Sequence, residues 1–121
     1  MAGTIYEKYG GFKTVSRIVM AFYDKALDSD QIGDYFVDVD LSQLIDHQTK
    51  FISSLLGGPV SFSDDQLHRV HRQLEICHAD FDEMVSLLAG TLVDHGMARD
   101  DVETVIGEIE ARRKMIVSIG S

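Results

Sequence analysis

The stretch LSQLIDHQTKFISSLLGGP, Leu41 to Pro59, decides how the chain is read. Leu41, Leu44, Ile45, Gln48, Phe51, Ile52 and Leu55 recur at intervals of three and four, which places them on one face of an α-helix and excludes the alternation of a strand. Asp40 precedes the run as an N-cap, and Gly57-Gly58-Pro59 stops it. The same period extends outward in both directions. A helix from about Phe12 to Leu27 follows the Gly10-Gly11 break and turns Phe12, Val15, Ile18, Val19, Phe22, Tyr23 and Ala26 inward. Asp28-Ser29-Asp30 offers capping groups to a short helical turn carrying Ile32, Tyr35 and Phe36. Toward the C-terminus, Phe81, Met84, Val85, Leu88 and Leu92 mark a helix from about Ala79 to His95 that Gly96 ends. Val102, Val105, Ile106, Ile109, Ile116 and Val117 mark one last helix, from about Ala98 to Ser118. Val60 to Gln66 shows no period and reads as loop, and Leu67 to Leu74 has room for two helical turns. The fold class is therefore all-α, with residues 1–121 forming a single domain around one core.

Composition narrows the function. The 121 residues are 45% apolar and 26% charged, the make-up of an ordinary globular domain. Eleven Lys and Arg against twenty Asp and Glu leave a formal net charge of −9, which repels nucleic-acid phosphates and anionic lipid headgroups. Neither nucleic acid nor membrane is an expected partner. No apolar run is long enough to span a bilayer, and Met1 to Lys8 lacks the features of a secretory signal, so a soluble, cytoplasmic protein is expected. Cys77, the only cysteine, cannot close an internal disulfide or build a thiolate metal site.

Polar residues on inward faces carry the functional signal. Gln48 lies between Leu44 and Phe51-Ile52, and Tyr23 follows Phe22 on the inner face of its helix. Each alone is satisfied by bonding a nearby carbonyl. Two such groups on two packing helices outline a polar spot within an apolar pocket, as in small-ligand sites. His71 falls between Val70 and Leu74, beside the core, with one ring nitrogen available to a metal; a half-buried structural imidazole is the simpler reading from position alone. His68 and His71 share a face, yet no third His or Cys at matching spacing supports zinc. His47 sits at the edge of the apolar stripe, free to turn inward or toward water. His78 and His95 read as surface or helix-end residues. Asp100-Asp101 and Arg112-Arg113-Lys114 complement a helix dipole from solvated faces. Asp38 and Asp40 flank Val39, where capping explains them better than acid–base chemistry. No phosphate-binding glycine loop or nucleophile motif occurs.

Taken in order, Ile5-Tyr6-Glu7-Lys8-Tyr9-Gly10-Gly11, Phe22-Tyr23, Tyr35-Phe36, His47-Gln48, Leu55-Leu56-Gly57-Gly58-Pro59, Val70-His71-Arg72-Gln73-Leu74 and Phe81 resemble the truncated haemoglobins, most closely their first group. The resemblance runs from Thr4 to about Val117 and implies a globin-like, two-over-two helical sandwich around a pocket for haem b, iron protoporphyrin IX. It implies that His71 is the proximal iron ligand, that Phe36 stacks on the porphyrin, and that Tyr23 and Gln48 donate hydrogen bonds to the bound ligand. Leu44 takes the place where many globins carry a distal histidine or glutamine. Phe51, Ile52, Phe62, Ile76, Phe81 and Val85 correspond to haem-contacting or tunnel-lining positions. His47 matches a histidine that closes the sixth iron site in cyanobacterial members, making it a second candidate metal ligand. Arg112 stands where those members attach haem covalently through histidine, so covalent attachment is not expected. The implied activity is reversible binding of dioxygen, nitric oxide and carbon monoxide, with nitric oxide dioxygenase or peroxidase turnover fed by a reductase. A bis-histidyl electron-transfer or sensor protein is the alternative, and a cofactor-free interaction module leaves the inward polar groups without a reason. A monomer or weak dimer is expected.

Overall fold

The computed structural model describes residues 4–37, 39–58 and 76–117, and among these there is no strand. In chain order the helices are α1 (Ile5–Lys8), α2 (Phe12–Asp28), a 3-10 turn (Gly33–Phe36), α3 (Leu41–Leu55), α4 (His78–Asp94), α5 (Arg99–Glu110) and α6 (Arg113–Ile116). The first long helix, α2, is the hub: it packs most extensively on α3 and next on α4, while α4 packs in turn on α5.

The starts and stops have local causes. Thr4 caps α1 by accepting the Glu7 amide at 3.2 Å, and Gly10 and Gly11, at φ +105° and +74°, reverse the chain into α2. Asp40 caps α3 by accepting the Gln43 amide at 3.2 Å. Past its end, Gly57 holds φ +90°, and a Cβ there would lie 2.9 Å from Thr4. The turn is thus closed to other residues both by conformation and by space. Between α2 and the 3-10 turn, Ser29 supplies the capping expected of the Asp28-Ser29-Asp30 group, accepting the amides of Gln31 and Ile32, each at 3.3 Å.

The core follows the apolar period with three corrections. Val15, Ile18, Val19, Phe22, Tyr23 and Ala26 of α2 are buried, but Phe12, expected to join them, is 44% exposed. As the first residue after Gly11 it precedes the part of α2 that other helices cover. On α3 the buried sector includes Thr49 and Ser53 beside Phe51, Ile52 and Leu56. Thr49 satisfies its hydroxyl on the Ile45 carbonyl at 2.7 Å, whereas Ser53 Oγ has no partner among the described residues. The third correction concerns the last helix, which is not continuous: α5 ends at Glu110 and α6 begins at Arg113. The apolar period runs through the break without marking it: Ile116 stands seven residues, two full turns, past Ile109, and both are buried, at 4% and 2% exposure.

The charge runs are also less solvated than expected. Arg113 pairs with Asp82 and, at 2.7 Å, with Glu110, donates to His78 Nδ1 at 3.0 Å and stacks over the Phe81 ring at 4.4 Å. His78 is thereby half-buried rather than a plain surface residue. Asp101 accepts from Lys8 Nζ at 2.8 Å and Tyr9 Oη at 2.6 Å, fastening α1 to the start of α5. His95 behaves as expected: it ends α4 with Nδ1 3.0 Å from the Thr91 carbonyl. No described helix is long and apolar enough to cross a membrane.

Candidate functional site

The helices enclose a partly open cavity of about 150 Å³. Two sectors of α3 explain its placement. At 100° per residue, Ile45, Thr49 and Leu56 point one way, into the packed core, Leu44, Gln48 and Phe51 point beside them, into the cavity, and Ile52, between the two sectors, lines the cavity as well. On α4, Asp80, Met84, Leu88 and Phe81 fall within a sector about 100° wide and form another wall. Val19, Phe22 and Tyr23 of α2 contribute a third, Ile32, Tyr35 and Phe36 of the short turn a fourth, and Ile109 and Ile116 close the α5–α6 side.

The walls are almost wholly apolar, and among the described residues their nitrogen- and oxygen-bearing side chains are those of Tyr23, Tyr35, Gln48 and Asp80. Tyr23 is 4% exposed, its ring edge-on to Phe22 at 5.0 Å and to Phe36 at 5.4 Å. Burial pushes its phenol far above the ordinary range, so the hydroxyl is protonated at neutral pH and available to donate. It makes no hydrogen bond with the described residues, and neither does the half-buried amide of Gln48. Two neutral donors therefore stand on a cavity wall with nothing yet to receive them.

Of the residues singled out from sequence, Tyr23, Phe36, Leu44, Gln48, Phe51, Ile52, Ile76 and Phe81 line this cavity. Val85 does not; it lies about 40° beyond Phe81 on the side of α4 away from Asp80 and packs on the core instead. His47 does not either. It is exposed, about 40° beyond Phe51 on α3, so the expectation that its imidazole reaches the cavity is not met in this structure. Phe62 and His71 lie outside the described residues. Sequence reasoning missed Tyr35 and Asp80 as site residues, along with the apolar Val19, Phe22, Ile32, Val39, Met84, Leu88, Ile109 and Ile116. Met84 and Leu88 were present in the α4 period, and the direction of that face was the missing information.

Among the described residues, helices wrap around an apolar cavity whose wall carries two polar side chains without partners, the make-up of a small-ligand site. Residues 4–118 match the bacterial-like globin family. The chain is 31% identical to the group 1 truncated haemoglobin of Tetrahymena pyriformis over 111 residues, 92% of each chain. It is 30% identical to the group 1 truncated haemoglobin GlbN of a Synechocystis strain, over 93% of this chain and 97% of the relative. The solved truncated haemoglobin of T. pyriformis in its Fe(III) form superimposes with a TM-score of 0.86 at 30% identity, covering 95% of this chain and 98% of that one. The chain belongs to the bacterial-like globins and, within them, to the truncated haemoglobins of the first group. Haem-based binding of small gas ligands comes with that membership. The residues present fit the group: the walls are aromatic and aliphatic, and Tyr23 is a buried donor with no hydrogen-bond partner among the described residues.

Proposed function

We propose that this chain holds haem b and retains dioxygen or nitric oxide beside Tyr23, as a gas-binding protein with nitric oxide dioxygenase turnover. The observation that supports it is the buried, protonated hydroxyl of Tyr23 in the cavity wall, which has no partner among the described residues. When bound, the haem supplies a ferrous iron at which diatomic gases bind and accept electron density. In this reading His71 holds the iron, Phe36 and Phe81 pack on the ring, and Leu44, Phe51 and Ile52 exclude water from the ligand. Tyr23 donates its Oη–H to the electron-rich ligand, and Gln48 adds an amide N–H. Each bond stabilises the bound ligand by about 1–3 kcal/mol in so dry a setting. At about 1.4 kcal/mol per tenfold, the gas leaves slowly. Slow release suits consumption of the ligand better than delivery. One nitric oxide, one dioxygen and one electron from a reductase balance to one nitrate, and the chain's part is to hold and orient the two gases out of water.

His47 is exposed on the outer edge of α3 and absent from the cavity lining, which supports a pocket without a second iron ligand over the bis-histidyl alternative. The visible spectrum of the purified protein tests the reading. A Soret band with a five-coordinate, high-spin ferrous form at neutral pH is expected. A chain that binds no haem overturns the function, and a low-spin six-coordinate ferrous form restores His47 as a ligand.

A further inference from the structure

Asp80 is the only carboxylate among the described residues lining the cavity, an odd group for the wall of an apolar pocket. Both of its oxygens are engaged. Oδ2 accepts from Tyr35 Oη at 2.6 Å and Oδ1 accepts from Gln31 Nε2 at 2.9 Å. These bonds hold the carboxyl below the usual aspartate range, the Tyr35 hydroxyl having the largest effect, so they are charge-assisted at neutral pH. One turn further along α4, Glu83 accepts from Ser29 Oγ at 2.9 Å. The segment from Ser29 to Tyr35 is thus fastened to α4 at three points. Phe36 follows directly, and its ring stands edge-on to Tyr23, at 80° between planes. Among the described residues Tyr23 has no hydrogen bond to aim it, and two rings pack against it and set its direction.

We propose that Asp80 is a positioning residue for gas binding: by fixing Tyr35 it fixes Phe36, and Phe36 aims the Tyr23 hydroxyl at the ligand. This rests on the reading of Tyr23 given above. Asp80 acts through Tyr35 and Phe36. It keeps a neutral donor in register through a ring, which leaves the donor free of any competing bond. A carboxylate bonded directly to Tyr23 would compete with the gas for the same proton.

The test is a double-mutant cycle on the haem-loaded protein, with dioxygen release followed by stopped flow. Asp80→Asn keeps the volume and loses the charge, and should speed release about threefold, less than Tyr23→Phe does. In the Tyr23→Phe background, Asp80→Asn should have no further effect. Hydrogen exchange of the carbon monoxide form supplies a readout independent of release: the amides of Gly33, Tyr35 and Val37 should exchange faster in Asp80→Asn while those of α5 stay unchanged. Tyr35→Phe, which removes only the donor, should reproduce both results and stands in if Asp80→Asn fails to fold. An equal acceleration with and without Tyr23 overturns the proposal. So does an unchanged release rate in Asp80→Asn when Tyr23→Phe alone releases quickly, and in that case the function of Tyr23 stands. If Tyr23→Phe itself leaves release unchanged, that function falls and the proposal falls with it.

Discussion

The wall that α2 and α3 give the cavity and the wall that α4 gives it with its attached turn are built on different principles. Tyr23 and Gln48, on the first, are held by packing alone and have no hydrogen-bond partners among the described residues. On the second, Asp80 and Glu83 hold the Ser29–Tyr35 segment, and Arg113 ties Asp82, Glu110 and His78 together over the Phe81 ring. Donors that must serve a ligand are left unbonded, and the shape that aims them is fixed by groups bonded to one another. Polar saturation on one wall permits polar vacancy on the other.

The most severe way to break this arrangement is to empty the cavity. His71→Ala should lose haem during purification, and the chain without haem should unfold several degrees below the loaded protein, because a ligand that binds only the folded state stabilises it by mass action. An unchanged Soret band and full haem content in the variant would remove His71 from the iron. Next in size comes the packing-held wall. Tyr23→Phe should speed dioxygen release about tenfold, the effect of losing one bond of about 1.4 kcal/mol. Gln48→Leu should do less, and the double variant should fall short of the product of the two, since both donors serve one ligand. Additive rates in stopped flow would mean that the donors act on different species.

The bonded wall answers to smaller effects. Arg113→Met keeps much of the apolar cover over Phe81 and removes the ion pairs and the ring–cation contact, so urea unfolding should show a loss of about 1 kcal/mol. Dioxygen release should stay within about twofold, because Arg113 reaches the pocket only through the Phe81 ring and the Asp80–Tyr35 bond stays in place. The mildest lever is acid. The Asp80 carboxyl is lowered by the Tyr35 and Gln31 donors, and that of Asp101 by Lys8 and then Tyr9. A carboxylate with a depressed folded-state value adds stability above its unfolded value of about 3.9, and that stability is lost as pH falls through the lower folded value. Thermal midpoints should therefore hold steady from neutral pH to about pH 4 as far as these groups are concerned, then decline. Asp80→Asn should flatten part of the decline; an acid limb identical in the variant would show that the Asp80 bonds do not contribute to stability.

How much of this could be read from sequence follows the same division. The packing-held wall was legible, because Tyr23 and Gln48 are polar residues at apolar positions of a regular helix, and periodicity exposes such exceptions. Helix ends were legible wherever a side chain or a glycine enforces them, as at Asp40, Gly57 and Gly96. The bonded wall was not. Asp80 meets Tyr35 across 45 residues and Arg113 meets Asp82 across 31, and no local pattern announces a long-range hydrogen bond. The same lack of direction placed Val85 and His47 at the pocket, each about 40° from the residues that do line it. Periodicity also joined α5 to α6, since Ile109 and Ile116, two turns apart, keep one buried face across the break.

The fastening of α1 carries a consequence for how the chain reaches its fold. Four residues are too few to hold a helix unaided, so α1 depends on what it touches. Its partners are distant in sequence: Tyr9 bonds Asp101 across 92 residues and the Ala98 amide across 89, and the Tyr6 amide reaches the Leu56 carbonyl. Closures of that span are slow, so the N-terminal turn should dock late, after α2 to α5 have assembled. The turn from Ile5 to Lys8 is then set in place only after the helices that follow it in the chain.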